Sequence, residues 1–239
     1  MIKKEISIKD NDVIFFSLGE NCLADGILER NNLKSFSSPF SSGRSNIEYI
    51  LNFEKENYID FLNKDFLKYE YLQTGKKVVR NKKYVITENK YHDLSKSGIE
   101  FTHHDVINNE EVRQTIKRRY TRLLDLRNVN IIILYHHRKC DETNLNLLMQ
   151  HFNSLAKIYE DRNNKITIFV MCQKIIKDKS ERCIKLYSLN NIHLYEFYTL
   201  NEWAGENKDI FWAKPDDDLL RIMIDDMQKE KQNMLSTSI

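Results

Sequence analysis

Three short, mainly apolar runs, residues 130–135, 166–171 and 192–197, most narrow the folds open to this chain. The first holds Ile131-Ile132-Ile133-Leu134. A strand without polar alternation has to bury both faces, which is the situation of a strand in a parallel sheet covered by helices on each side. Between and after these runs, apolar residues recur at helical spacing: Leu145, Leu148, Phe152 and Leu155 over 144–159, and Leu219, Leu220, Met223 and Met227 over 216–231. Residues 179–186 read as a further helix. Strands alternating with helices favour right-handed crossovers and parallel pairing. The expected fold is α/β: a three-layer, mostly parallel sheet flanked by helices.

Residues 13–18 are apolar and stop at Gly19, and 22–30 read as a helix with Leu23, Ile27 and Leu28 on one face. This supplies another strand–helix unit, with Asn21 as helix cap. The long helix at 110–127 has Val112, Ile116, Tyr120, Leu123 and Leu124 on one stripe, capped by Asn109. Helices are expected at 46–51 and 58–66. A hairpin over 76–87 turns near Asn81-Lys82, and a short strand covers 99–104. The whole chain, 1–239, reads as one α/β domain. Residues about 35–104 form an inserted loop and hairpin segment over the carboxyl ends of the strands, where open α/β sheets place ligands.

Gly (6) and Pro (2) are scarce, which disfavours a loop-rich chain, and a net charge of +2 gives no general attraction to nucleic acid or anionic membrane. No run reaches membrane-spanning length, and residues 1–18 lack the pattern of a secretory signal. The four cysteines (Cys22, Cys140, Cys172 and Cys183) are widely separated, as in a reduced cytoplasmic protein.

Cys22 stands where an apolar strand, a tight turn and a helix meet. Peptide N–H groups and the positive end of a helix favour thiolate there, and α/β hydrolytic enzymes expose nucleophiles on such turns. Asn21 and the N–H groups of Asn21, Cys22 and Leu23 are candidates to hold an oxyanion. Of seven histidines, the run His103-His104-Asp105 is the best source of a base. His136-His137 end the strongest strand, where a parallel sheet binds ligands. Trp203 and Trp212 flank a polar glycine loop that forms either a lid or a stacking surface, and Asp209 within it is placed to orient a histidine. No Cys-x-x-Cys, His-Glu-x-x-His or phosphate-loop pattern is present, so neither metal nor cofactor is expected.

Several segments together resemble a bacterial family of unknown function described as papain-like cysteine peptidases. They are Ser17-Leu18-Gly19-Glu20-Asn21-Cys22, Ser38-Pro39-Phe40, His104-Asp105, Arg118-Arg119-Tyr120 and the Trp203/Trp212 pair. The resemblance implies a site built on Cys22 and His104, completed by Asp105 or Asp209. Substrate contacts are expected from Gly19, Glu20, Ser38, Phe40, His136, His137, Trp203 and Trp212. The chain departs from the family pattern after Pro39-Phe40, where Ser41-Ser42 replaces Asp-Trp. A papain-type fold does not suit the strand–helix order after Asn130, so the parallel α/β expectation stands.

The leading functional reading is a cysteine-dependent hydrolase or acyl transferase acting on an amide or ester in a small molecule, glycan or peptide. One alternative is a glycan- or nucleotide-sugar-modifying esterase or transferase, in which Ser17, Asn21 or the serines near Ser37 and Ser38 matter and Cys22 only packs. Another is a binding module without chemistry, using the basic helix face and a tryptophan-lined cleft.

Overall fold

A computed structural model describes residues 8–85, 94–141 and 143–236. Strands β1 (Val13–Gly19), β5 (Asn130–His136), β6 (Lys165–Ile175), β7 (Cys183–Leu189) and β8 (Ile192–Thr199) form the main sheet, in the order β1-β5-β6-β8-β7. Every pairing is parallel except β7 with β8. This is the mostly parallel α/β sheet expected. Val13 pairs with Asn130 and Gly19 with His136, so β1 and β5 end level. That register sets Gly19 to Cys22 beside His136 and His137.

Alternate residues of each strand face opposite layers, and both layers are apolar. On one side Phe16, Ile131, Ile133 and Val170 pack beneath α2 (Ile47–Lys55), α4 (Glu110–Asp125) and α5 (Leu145–Glu160). On the other, Phe15, Ile132, Leu134 and Phe169 pack against α1 (Leu23–Arg30) and α7 (Asp217–Ser236). Burial on both faces is the physical reason that these strands read as mainly apolar runs without regular polar alternation. Asparagine side chains cap three of the helices: Asn46 accepts from Tyr49 N (2.9 Å), Asn109 from Val112 N (3.1 Å) and Asn144 from Leu147 N (3.1 Å).

Between α2 and α4 lies a small antiparallel sheet, β2 (Leu67–Tyr71), β3 (Lys77–Asn81) and β4 (Ile99–Phe101), with a short helix α3 (Leu94–Ser97) before β4. Arg44 forms a two-way backbone bridge to Glu100 (2.9 and 2.8 Å), which ties the serine-rich loop to β4. A second short helix, α6 (Lys208–Phe211), precedes α7.

Three local expectations are corrected. The hairpin turns at residues 72–76, with Gly75 at φ +78°, instead of at Asn81-Lys82. Residues 58–66 form successive turns rather than a helix, because Asn57 and Tyr58 take left-handed backbone (φ +51° and +59°) and break the helical path. Residues 183–189 are a strand: after one turn of 3₁₀ helix at Lys179–Glu181 the chain adds β7 to the sheet edge. Asn190 (φ +53°) then makes a tight hairpin into β8. The end of the expected hairpin (Ile86 and Thr87), His92 and the first residues of the chain lie outside the described residues. Among the described residues no helix is long and apolar enough to cross a membrane.

Candidate active site

The site begins where β1 ends. Gly19 has φ +128°, and a Cβ there would lie 2.7 Å from the carbonyl oxygen of His136. Only glycine lets β1 stay against β5 while the chain turns out of the sheet. Glu20 then points inward, fully buried, with Oε1 3.0 Å from His137 Nδ1 and Oε2 accepting the Arg138 N–H at 3.0 Å. Asn21 Oδ1 accepts two hydrogen bonds, from Leu23 N (3.0 Å) and from His136 Nδ1 (2.9 Å). Because that oxygen takes the Leu23 N–H, its facing His136 nitrogen carries the proton, and the Asn21 amide is held with Nδ2 turned away from both. Cys22 occupies the cap position of α1 without a capping side-chain bond, and its carbonyl accepts Gly26 N at 3.0 Å.

Cys22 lines a cleft of about 400 Å³. One wall comes from the segment between α1 and α4: Ser42, Gly43, Arg44, Thr102 and His103. The other comes from the strand ends and the loop after β8: Arg138, Trp203, Ala204, Gly205 and Phe211. Behind the first wall, His104 Nε2 is 2.8 Å from Ser42 Oγ, and Arg119 donates to that same oxygen at 3.2 Å. A guanidinium can only donate, so Ser42 Oγ accepts from Arg119; in the tautomer that carries its proton on Nδ1, His104 Nε2 accepts the Ser42 hydrogen. Burial, with the nearby charges of Arg119 and His103, holds the His104 imidazole below its ordinary value of 6.5, so it is neutral at pH 7. A larger hollow of about 760 Å³ lies along the basic face of α4 and contains none of the candidate residues.

The expected thiolate is corrected. Burial pushes the Cys22 thiol above its ordinary value, opposed by its own backbone N–H and reinforced by Asp25 in the first turn of α1. Desolvation outweighs the field of an eight-residue helix that carries its own acidic group. Cys22 therefore rests as a thiol and needs a base. The oxyanion donors are also fewer than expected, since Leu23 N–H is committed to Asn21.

Other expected site residues are placed elsewhere. Asp105 accepts from Tyr69 Oη (2.8 and 3.0 Å) and from the Ile107 and Asn108 amides, in the turn after β4. Asp209 pairs with Lys214 at the surface (2.8 Å). Ser38 is buried and donates to Ser17 O at 2.7 Å, and Phe40 belongs to an aromatic cluster with Tyr58 and Phe61. Trp203 is a buried wall of the cleft, its Nε1 donating to Asp216 at 2.9 Å. Trp212 packs on Gly26 of α1 instead of lining the cleft. Ser42, Arg44, Thr102, Arg119 and Arg138 are the residues that sequence reasoning missed. Two of them lay within sequence features already at hand: Arg119 in the Arg118-Arg119-Tyr120 run and Ser42 in Ser41-Ser42.

His136 supports the site from below. Fully buried beside Arg138 and His137, its imidazole is pushed down to about 3, so it is neutral in the folded protein at all ordinary pH. In the unfolded chain it protonates near 6.5, so the unfolded state binds the extra proton between those values. Stability is therefore retained above 6.5 and lost as pH falls from there towards 3. Chemical denaturation at pH 7.5 and pH 5 should show a loss of about 2 kcal/mol from this residue. His136→Asn should flatten that part of the profile.

No curated protein and no solved structure matches the chain. A family model described as "Putative papain-like cysteine peptidase (DUF1796)" matches residues 13–175. Its span runs from β1 through the Cys22 turn, the His104 wall and β5 to the end of β6, and the chain belongs to that family.

Proposed function

We propose that this chain is a thiol-dependent hydrolase or acyl transferase, with Cys22 as nucleophile and His104 as base acting through Ser42. The observation that carries the reading is the cleft that Cys22 shares with a serine already bonded to a neutral imidazole. A hydroxyl has one hydrogen and two lone pairs. In Ser42 the hydrogen goes to His104 and one lone pair to Arg119, leaving one lone pair to accept the Cys22 S–H. As Sγ bonds to the substrate carbonyl carbon, the thiol proton passes to Ser42 Oγ and the Ser42 hydrogen to His104 Nε2. The carbonyl electron pair moves onto its oxygen, where Asn21 Nδ2 donates a hydrogen bond. His136 is a positioning residue, because it fixes the orientation of that amide. The imidazolium then protonates the leaving group, and a thioester remains on Cys22. Water, or another acceptor in a transferase, attacks the thioester carbonyl, returns one proton through the same path and restores the thiol.

Two expectations follow. Using p-nitrophenyl acetate as a surrogate ester, Ser42→Ala should lower kcat/KM by roughly 10²-fold or more, since the base then has no direct path to sulfur. The wild-type rate should fall on the acid side below pH 6.5, because His104 accepts a proton only when neutral and its folded value lies under that figure.

A second reading is favoured by the 2.8 Å Ser42–His104 contact itself: Ser42 Oγ as an oxygen nucleophile with Cys22 as a neighbour. Activity retained in Cys22→Ala and abolished in Ser42→Ala selects it.

A further inference from the structure

The cleft beside Cys22 holds more positive charge than its own carboxylates neutralise. Arg44 projects from the serine-rich loop and Arg138 from the end of β5, and both line the cleft. Among the described residues the Arg44 guanidinium has neither a hydrogen bond nor an ion pair; its recorded bonds are the backbone bridge to Glu100. The carboxylates near it are already engaged. Glu100 is bonded to Arg80 and, through its other oxygen, to Thr102 Oγ1 at 2.7 Å. Glu20 is closed by His137 and the Arg138 amide. Arg138 reaches only a rim carboxylate, Glu202, at 3.0 Å, and that glutamate is largely exposed. Two guanidinium groups in one half-buried pocket repel each other, an arrangement favoured once an anion sits between them. On the same wall as Arg138 and across from Arg44, Trp203, Ala204 and Phe211 supply an apolar surface.

We infer that the Cys22 cleft selects an acyl substrate bearing a carboxylate or phosphate, held by Arg44 and Arg138, with its apolar portion against Trp203 and Phe211. The inference rests on the reading of this cleft as the reaction site, but the charge itself can be measured without any turnover. Arg44 and Arg138 would fix which bond faces Cys22, because a planar guanidinium fork accepts a carboxylate or phosphate in only a few orientations.

The test compares alkylation of Cys22 by iodoacetate, which is anionic, and by iodoacetamide, which is neutral. The half-exposed Cys183 of the same molecule is the internal reference. Both reagents attack the same thiolate, so their rate ratio cancels the thiol's own acidity and reads the local field. Rates are followed by peptide mass mapping in mildly alkaline buffer of low ionic strength. The ratio of iodoacetate to iodoacetamide should be roughly tenfold higher at Cys22 than at Cys183, and added salt should shrink it. Arg44→Gln and Arg138→Gln should each lower it several-fold; having both guards against one variant failing to fold. As a second readout, succinate and inorganic phosphate at constant ionic strength should change wild-type tryptophan fluorescence and leave Arg44→Gln unchanged. Equal ratios at Cys22 and Cys183, together with no response to either anion, overturn the inference. A thiol that never forms an acyl intermediate yet keeps the anion preference would instead refute the catalytic reading and leave this one standing.

Discussion

Cys22→Ala and Cys22→Ser should each abolish turnover of p-nitrophenyl acetate, lowering kcat/KM by about 10³-fold or more, while the chain still folds normally. The size of the effect follows from the proposed role, in which the sulfur itself forms the acyl intermediate. The stability cost is small because Cys22 is only half-buried and its side chain makes no capping bond. About 1 kcal/mol or less in urea unfolding is expected. Serine in place of cysteine is no rescue, since its hydroxyl is far less acidic and less nucleophilic than a thiol. Ser42→Ala and Cys22→Ala together give a cycle: if Ser42 acts only through sulfur, the double variant is no worse than Cys22→Ala alone.

The largest effect on folding is expected at Gly19. Gly19→Ala places a methyl group 2.7 Å from the His136 carbonyl oxygen and 2.9 Å from its nitrogen, on a backbone with φ +128°. Both obstacles are main-chain atoms of β5, the strand paired with β1, so no side chain can swing away. Either β1 separates from β5 or the turn rearranges, and both displace Asn21 from His136 and Cys22 from the cleft. A loss of about 4 kcal/mol or more is expected, a large share of the roughly 5–15 kcal/mol typical of a domain. Gly205→Ala is the control: its φ is +81°, yet a Cβ there meets nothing within 4 Å. It should cost only about 1 kcal/mol. Comparable losses in the two variants, measured by urea denaturation, would contradict the close-approach argument.

The parts of this structure that were legible in the sequence are those written locally. β5 and the buried stretches of β6 and β8 are mainly apolar because both faces are covered, and the α4 and α5 stripes follow from packing on one side only. β7 was illegible for the opposite reason. An edge strand exposed on both faces mixes Lys185 with Leu186 and Tyr187, with nothing in its composition to separate it from a surface helix. The same division runs through the site. Gly19, Asn21 and Cys22 form one contiguous turn, and their conjunction was visible. Asp105 follows His104 in the chain, yet the turn after β4 sends the two side chains to different partners, Tyr69 and Ser42. Ser42, Arg44, Thr102 and Arg138 meet Cys22 only because the small sheet and β5 close over it, and no spacing in the sequence encodes that meeting. The thiolate was misjudged because a helix start is a local feature, whereas desolvation depends on everything packed around it.

The most direct test is to find where the acyl group goes. The wild-type protein is mixed briefly with p-nitrophenyl acetate, quenched in acid and digested, and the acetylated residue is located by mass spectrometry with and without neutral hydroxylamine. The account predicts one acetyl group on Cys22 as a hydroxylamine-labile thioester, lost in Cys22→Ala and greatly reduced in His104→Ala. A hydroxylamine-stable acetyl group on Ser42, or equal labelling of Cys22, Cys140 and Cys183, would contradict it.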